Sequence, residues 1–133
     1  MTTQHYDLCL KNGQVMIDGN LISTNVYVTE GKIVLITTKL YDTTREIDCK
    51  NILVLPGVID SQVHFREPGL EGKENLESGM LAAVAGGVTS IFEMPNTNPL
   101  TITPETIDDK LNRANRAAWS DYAFYLGGTM RTS

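Results

Sequence analysis

Pro56-Gly57-Val58-Ile59-Asp60-Ser61-Gln62-Val63-His64-Phe65-Arg66-Glu67-Pro68-Gly69 is the stretch at which the character of the chain changes. From Pro56 onward, strand-like and helix-like segments alternate. Val58 to Phe65 reads as a strand. Lys73 to Ala85 reads as a helix with Leu76, Met80, Leu81 and Val84 near one face, and Gly86-Gly87 ends it because glycine readily takes the left-handed cap conformation. Val88 to Met94 is a second strand. Thr103 as N-cap and Pro104 at the first helical position predict a second helix. Its buried stripe is Ile107, Leu111 and Ala114, and it runs to about Ala118. Tyr122 to Leu126 is a third strand, with Gly127-Gly128 behind it. Strand, helix, strand, helix, strand implies parallel strands joined by helical crossovers. Such a run opens either a doubly wound sheet or a (β/α)₈ barrel. A barrel needs roughly 200 residues or more, so residues 57–133 would only begin one.

The segment before Pro56 reads differently. Tyr6 to Leu10 and Gln14 to Ile17 flank Asn12-Gly13, a strong hairpin signal. Asp18-Gly19-Asn20 is the next turn. Asn25 to Thr29 leads through Glu30-Gly31 into Lys32 to Thr37, and Ile47 with Ile52 to Leu55 continues the pattern. These runs are rich in Val, Ile, Leu and Tyr, as half-buried sheets require. The expected organisation is a small β-sandwich or sheet domain over residues 1–55, then the first β/α units over residues 56–133, about three strands and two helices that open either a doubly wound sheet or a TIM-type barrel.

The bulk properties narrow the function classes. The chain has 133 residues, 41% of them apolar and 20% charged, with a formal net charge of -5. That is ordinary for a globular protein and gives no case for disorder. A mildly acidic chain without clustered Lys and Arg is a poor nucleic-acid binder. No apolar run approaches the ~18 residues of a membrane span, and the N-terminus lacks the basic-then-apolar pattern of a signal peptide. Cys9 and Cys49 read as reduced, buried thiols of a cytoplasmic protein, since neither has the spacing of a redox or zinc motif.

The chemistry concentrates at two expected strand ends. Alternate side chains of a strand point the same way, so Gln62, His64 and Arg66 are expected to share a face at the C-terminal end of the first parallel strand, where barrel enzymes build their sites. Gln62 offers an amide oxygen and His64 an imidazole. Arg66 offers a planar guanidinium suited to a carboxylate or phosphate. Glu93-Met94-Pro95-Asn96-Thr97-Asn98-Pro99 follows the second strand and would face the same pocket, with Asn96 able to donate and accept hydrogen bonds. Taken singly, each residue has a bland explanation: a hydrogen-bonded structural His, a solvated Arg, an Asn-Pro turn. The combined pattern carries the weight. Glu74 near a helix start suits the macrodipole, Asp109–Arg113 is a surface helix pair, and Trp119 is packing. None of these is given a catalytic role.

The motifs Pro-Gly-Val-Ile-Asp-x-x-Val-His-Phe-Arg-Glu-Pro-Gly, Lys-Glu, Ala-Ala-x-x-Gly-Gly-Val-Thr and Met-Pro-Asn-Thr-x-Pro occur in order between about Leu55 and Pro99. This series resembles the dihydroorotases of the cyclic amidohydrolase superfamily, and the β-rich start is similar to the small sheet domain that family carries. The resemblance implies a (β/α)₈ barrel with zinc at the C-terminal strand ends, one or two ions in the full-length protein. It implies reversible hydrolysis of dihydroorotate to N-carbamoyl-aspartate in pyrimidine synthesis, by a cytoplasmic enzyme that forms a homo-oligomer. Carried over by position, His64 would be a zinc ligand, and Arg66 with Asn96 would hold the substrate carboxylate. The family usually has His-x-His on this strand where the chain has Gln62-Val63-His64, and an amide oxygen is a weaker zinc ligand than imidazole. The remaining ligands and the catalytic aspartate would lie on later strands, so no catalytic residue is assigned within these 133 residues. Alone they are expected to be inactive and, with an open strand edge, prone to aggregate. Two other readings stand beside this one: a metal-poor, inactive relative acting as a scaffold, motivated by Gln62, and a sister allantoinase or hydantoinase.

Overall fold

The computed structural model describes residues 5–128. The chain forms two compact units, Met1–Pro56 and Gly57–Ser133.

In the first unit, β1 (Tyr6–Ile17), β2 (Asn20–Thr29), β3 (Lys32–Thr37), β4 (Thr43–Asp48) and β5 (Leu53–Val54) make one sheet. Its order is β3-β2-β1-β4, with β5 also beside β1. Of the two expected architectures, sheet and sandwich, this is the sheet. β1–β2 and β2–β3 are antiparallel hairpins, and β4 and β5 run parallel to β1. The two hairpin turns are Asp18-Gly19 (φ 48° and 78°) and Glu30-Gly31 (φ 51° and 73°). Positive φ at both central residues is what a right-twisted two-residue hairpin requires. Asn12-Gly13 is not a hairpin turn, contrary to the sequence expectation. It is a bulge inside the single strand β1, where the β1–β2 register shifts between Leu10 and Gly13. Asn12 takes φ 62°, and its amide donates to Asn25 Oδ1 at 2.8 Å. The signal for positive φ was right, but a bulge satisfies it as well as a turn does.

The core of this unit is Tyr6, Cys9 and Tyr27, with Leu35 against it. The Tyr6, Tyr27 and Tyr41 rings meet at 4.8–5.8 Å between centroids, a distance range at which aromatic pairs add to simple burial. The Tyr27 hydroxyl donates to Lys39 O at 3.0 Å and accepts from Tyr41 N at 3.1 Å, so its buried polar end is satisfied. Cys9 and Cys49 are buried free thiols. Burial pushes the Cys9 thiol above its ordinary value.

In the second unit, β6 (Val58–Val63), β7 (Val88–Glu93) and β8 (Asp121–Phe124) form a three-stranded parallel sheet in that order. α1 (Leu76–Ala85) and α2 (Pro104–Ala117) are the crossovers. α2 starts where its caps demand. The Thr103 and Thr106 side chains cap each other's backbone reciprocally, and Pro104 occupies the first turn. α1 starts later than Lys73, because the Asn75 side chain accepts from Ser78 N at 2.8 Å and makes Asn75 the N-cap. Glu74 is thus outside the helix, accepting from the Ser78 hydroxyl. Leu76, Met80, Ile91 and Ala114 form the core, with Val63, Phe65, Tyr122 and Phe124 packed against it. Full burial of Leu76 or Met80 is worth about 1.5–3 kcal/mol each. Leu81, Val84 and Leu111, expected in the buried stripes, are instead 49%, 39% and 37% exposed. No described element covers the outer flanks of either helix. α2 instead turns Lys110 inward beside Ala114. None of the described helices is long and apolar enough to cross a membrane.

Candidate active site

The candidate site stands on the exits of β6 and β7. β6 ends at Val63, two residues before its expected end, and its register against β7 shifts between Asp60 and Val63. Asp60 Oδ1 accepts from Gln62 N at 3.0 Å inside this irregularity. Val63 and Phe65 both pack against the core around Leu76 and Met80, so alternation still sets Gln62 and His64 on the opposite side, and it is lost only at Arg66. Arg66 has φ 67°, which turns the chain out of the extended direction. A tertiary contact adds to alternation in holding His64. His64 Nδ1 lies 2.8 Å from Asn96 Oδ1, joining the two loops directly.

That contact has a chemical consequence. An amide oxygen only accepts, so His64 Nδ1 carries the proton and donates. With Nδ1 donating, Nε2 is the ring nitrogen left to ligate a metal. The Asn96 Nδ2 hydrogens and the Arg66 guanidinium make no hydrogen bond or ion pair among the described residues, so both are available as donors. Gln62 is exposed, and no partner of its side chain is found among the described residues.

The loops are interlocked below these groups. Asn98 N donates to Pro68 O at 3.0 Å, and Leu70 N to Arg66 O at 3.0 Å. Gly69 has φ 90°, and a Cβ there would sit 1.9 Å from Asn98 O. Only glycine satisfies both the backbone angle and the approach. Gly79 plays the corresponding part in α1, since a Cβ there would meet the Phe65 ring at 2.5 Å. Glu67 ties the first loop to both helices: Oε2 accepts from Leu76 N at 3.0 Å, and Oε1 meets the Arg113 guanidinium at 3.3 Å. Asp109, 2.8 Å from Arg113, and then Glu67 hold that guanidinium's pKa above its ordinary value. Thr97 and Thr101 share a buried hydroxyl hydrogen bond of 2.9 Å that closes the second loop.

Sequence reasoning singled out His64, Arg66, Asn96 and Gln62. It missed Glu67 as an anchor, and it missed the buried pair Glu93–Lys110. The available signal for Glu67 was its place between a site residue and Pro68. For Lys110 the signal was its spacing, three residues after Ile107 and four before Ala114 on the expected buried stripe, which its charge argued against. A cleft of about 600 Å³ lined by Thr89, Asn115, Trp119 and Asp121 lies at the other, N-terminal end of the strands, remote from the candidate site.

Residues 51–129 match the model of the family described as dihydro-orotase-like. The chain belongs to the dihydro-orotase-like family. Among curated relatives of this family member, the dihydroorotase of Methanothermobacter thermautotrophicus is 38% identical over 122 residues, covering 92% of the chain and 28% of the relative. That of Bacillus thuringiensis is 39% identical over 123 residues, covering 91% and 29%. Among solved structures, the L-hydantoinase (dihydropyrimidinase) of Arthrobacter aurescens is 30% identical with a TM-score of 0.89, covering 94% of this chain and 28% of that one. The dihydropyrimidinase of Brevibacillus agri is 28% identical with a TM-score of 0.81, covering 93% and 28%. The dihydro-orotase-like chain therefore spans between a quarter and a third of the length of the relatives it matches. Its fold class agrees with the sequence expectation: a small N-terminal sheet, then the opening β/α units of the amidohydrolase barrel.

The donor set for zinc is partial. Among the described residues no three His, Cys, Asp or Glu side chains cluster as a metal site. His64 fits as one ligand, because its bond to Asn96 leaves Nε2 free. Gln62 could add only a neutral amide oxygen.

Proposed function

We propose that the protein carrying this chain hydrolyses a cyclic amide, with dihydroorotate as substrate and N-carbamoyl-aspartate as product. The observation that carries this reading is the 2.8 Å hydrogen bond from His64 to Asn96. It joins a metal-competent imidazole to an amide whose remaining donors are free, on the loop facing the one that bears Arg66. Arg66 and the Asn96 Nδ2 hydrogens would bind the substrate carboxylate, and two such donors orient a planar anion. Asn96 Oδ1 holds the proton on His64 Nδ1. His64 Nε2 would hold zinc, which when bound polarises a carbonyl and lowers the pKa of water. In the net reaction water adds across the ring amide, hydroxyl to carbon and proton to nitrogen, as the C–N bond breaks. A cytoplasmic homo-oligomer is part of the same proposal for the whole protein.

The test uses the full-length protein supplied with zinc. Dihydroorotate turnover is expected. Asn96→Ala is expected to raise KM by roughly ten- to a hundredfold, the scale of losing a hydrogen bond to a charged group. Folded, zinc-supplied protein that leaves dihydroorotate intact would rule the reading out. The likeness to an L-hydantoinase and a dihydropyrimidinase favours a sister activity. Turnover of hydantoin or allantoin without dihydroorotate would establish it. Gln62 favours the scaffold reading, which predicts folded full-length protein that retains no zinc.

A further inference from the structure

The most unusual buried groups of the β/α unit are charged. Lys110 and Glu93 are each 0% exposed. The Lys110 ammonium contacts the Glu93 carboxylate, donates to Met94 O at 3.1 Å, and stands 5.0 Å from the centre of the Phe124 ring. Burial pushes the Glu93 carboxyl above its ordinary pKa, opposed by Lys110 and more weakly by the Phe65 and Arg66 amides. The carboxylate's compensation is ionic, since neither oxygen has a well-directed hydrogen bond among the described residues.

Desolvating two charges costs several kcal/mol per ion, and apolar replacement of both partners of such a pair is often neutral or stabilising. Stability alone therefore gives a weak account of this pair. Its position gives a better one. Glu93 is the last residue of β7 and pairs with Val63 on one side and Phe124 on the other. The next residue on the β6 side is His64, and Asn96 follows Glu93 by three. Met94 N donates to Val63 O at 3.0 Å, and Tyr125 N to Glu93 O at 3.0 Å. One cation from α2 is thus fastened to the rung from which both site loops depart, and to the carbonyl two residues before Asn96.

We propose that Glu93 and Lys110 are positioning residues for the candidate site: the pair fixes the exits of β6 and β7 so that His64 Nδ1 reaches Asn96 Oδ1. Neither touches substrate; both act through the loop backbone. The kinetic consequence rests on the function proposed above, whereas the structural consequence does not.

The experiment uses the full-length protein and the double variant Glu93→Leu with Lys110→Met. Chemical denaturation is expected to find the double variant folded and close to wild type in stability. Nitrogen NMR of labelled histidine in the zinc-free full-length protein, with the His64 signal assigned by His64→Gln, is expected to show the proton on Nδ1 in wild type and a mixture of tautomers in the double variant. KM for dihydroorotate is expected to rise roughly tenfold with a smaller change in kcat, as a misplaced binding group predicts. Lys110→Arg, which keeps the charge, is expected to stay nearer wild type in both readouts. A folded double variant with the wild-type His64 signal overturns the proposal. If the double variant does not fold, Glu93→Gln takes its place, and an unchanged His64 signal there overturns the proposal equally. If wild type does not turn over dihydroorotate, the proposed function fails, while the His64 signal still decides this one.

Discussion

The two units of the chain bury different things. The N-terminal sheet closes over Tyr6, Cys9 and Tyr27 and buries the uncharged Thr24 and Asn25. The Tyr27 hydroxyl is satisfied by Lys39 and Tyr41, while Thr43 Oγ1 is buried without a partner among the described residues. The β/α unit also has an apolar core, but directly beneath its loops it buries Glu93, Lys110, Thr97 and Thr101. The difference is one of purpose. A sheet that only needs to hold together can use rings and turns. A sheet that must present side chains at its edge fixes its loops with directional and ionic contacts.

The largest effect that could break this comparison is at Lys110. Lys110→Met alone leaves Glu93 buried without a partner and is expected to cost about 3–5 kcal/mol in urea denaturation. A loss under 1 kcal/mol would put the two units on the same footing. In the N-terminal sheet, Tyr27→Phe removes one hydroxyl with two partners and is expected to cost about 1–2 kcal/mol by the same measurement. A loss as large as that at Lys110 would show the sheet to be equally dependent on buried polarity. The smallest effect is at a solvent-facing cap. The Thr103 hydroxyl, with help from the helix backbone, holds the Glu105 carboxyl below its ordinary pKa. A carboxyl lowered in the fold contributes stability that is complete above its unfolded value and is lost as pH falls through its folded value. Glu105→Gln is therefore expected to narrow the difference in melting temperature between neutral pH and roughly pH 3. An unchanged difference would remove the cap from the account.

Local signals were legible and tertiary ones were not. Thr103-Pro104 located the start of α2 because a cap and a proline act within one turn. The parallel order β6-β7-β8 was legible from alternation. Asn12-Gly13 misled because the sequence reports a backbone angle, not whether the chain reverses, and pairing along the whole of β1 decided for a bulge. The site residues His64 and Asn96 were visible as types, but their contact spans 32 positions and depends on the register of two strands. The expected shared face of Gln62, His64 and Arg66 departs from strand geometry at Arg66, which turns left-handed, whereas Val63 and Phe65 still alternate into the core. The pairing of Lys110 was hidden because its partner lies 17 positions away on a strand, where no helical spacing points to it.

The fit of Gly69 against the Asn98 carbonyl sets a condition on any exchange of the first site loop. There is no room there for even a methyl group, so a segment transplanted from a relative into residues 66–72 would have to carry glycine at position 69. A transplanted loop that keeps this glycine is therefore expected to seat against the resident Asn98 carbonyl, and one that lacks it to be displaced locally whatever its other side chains.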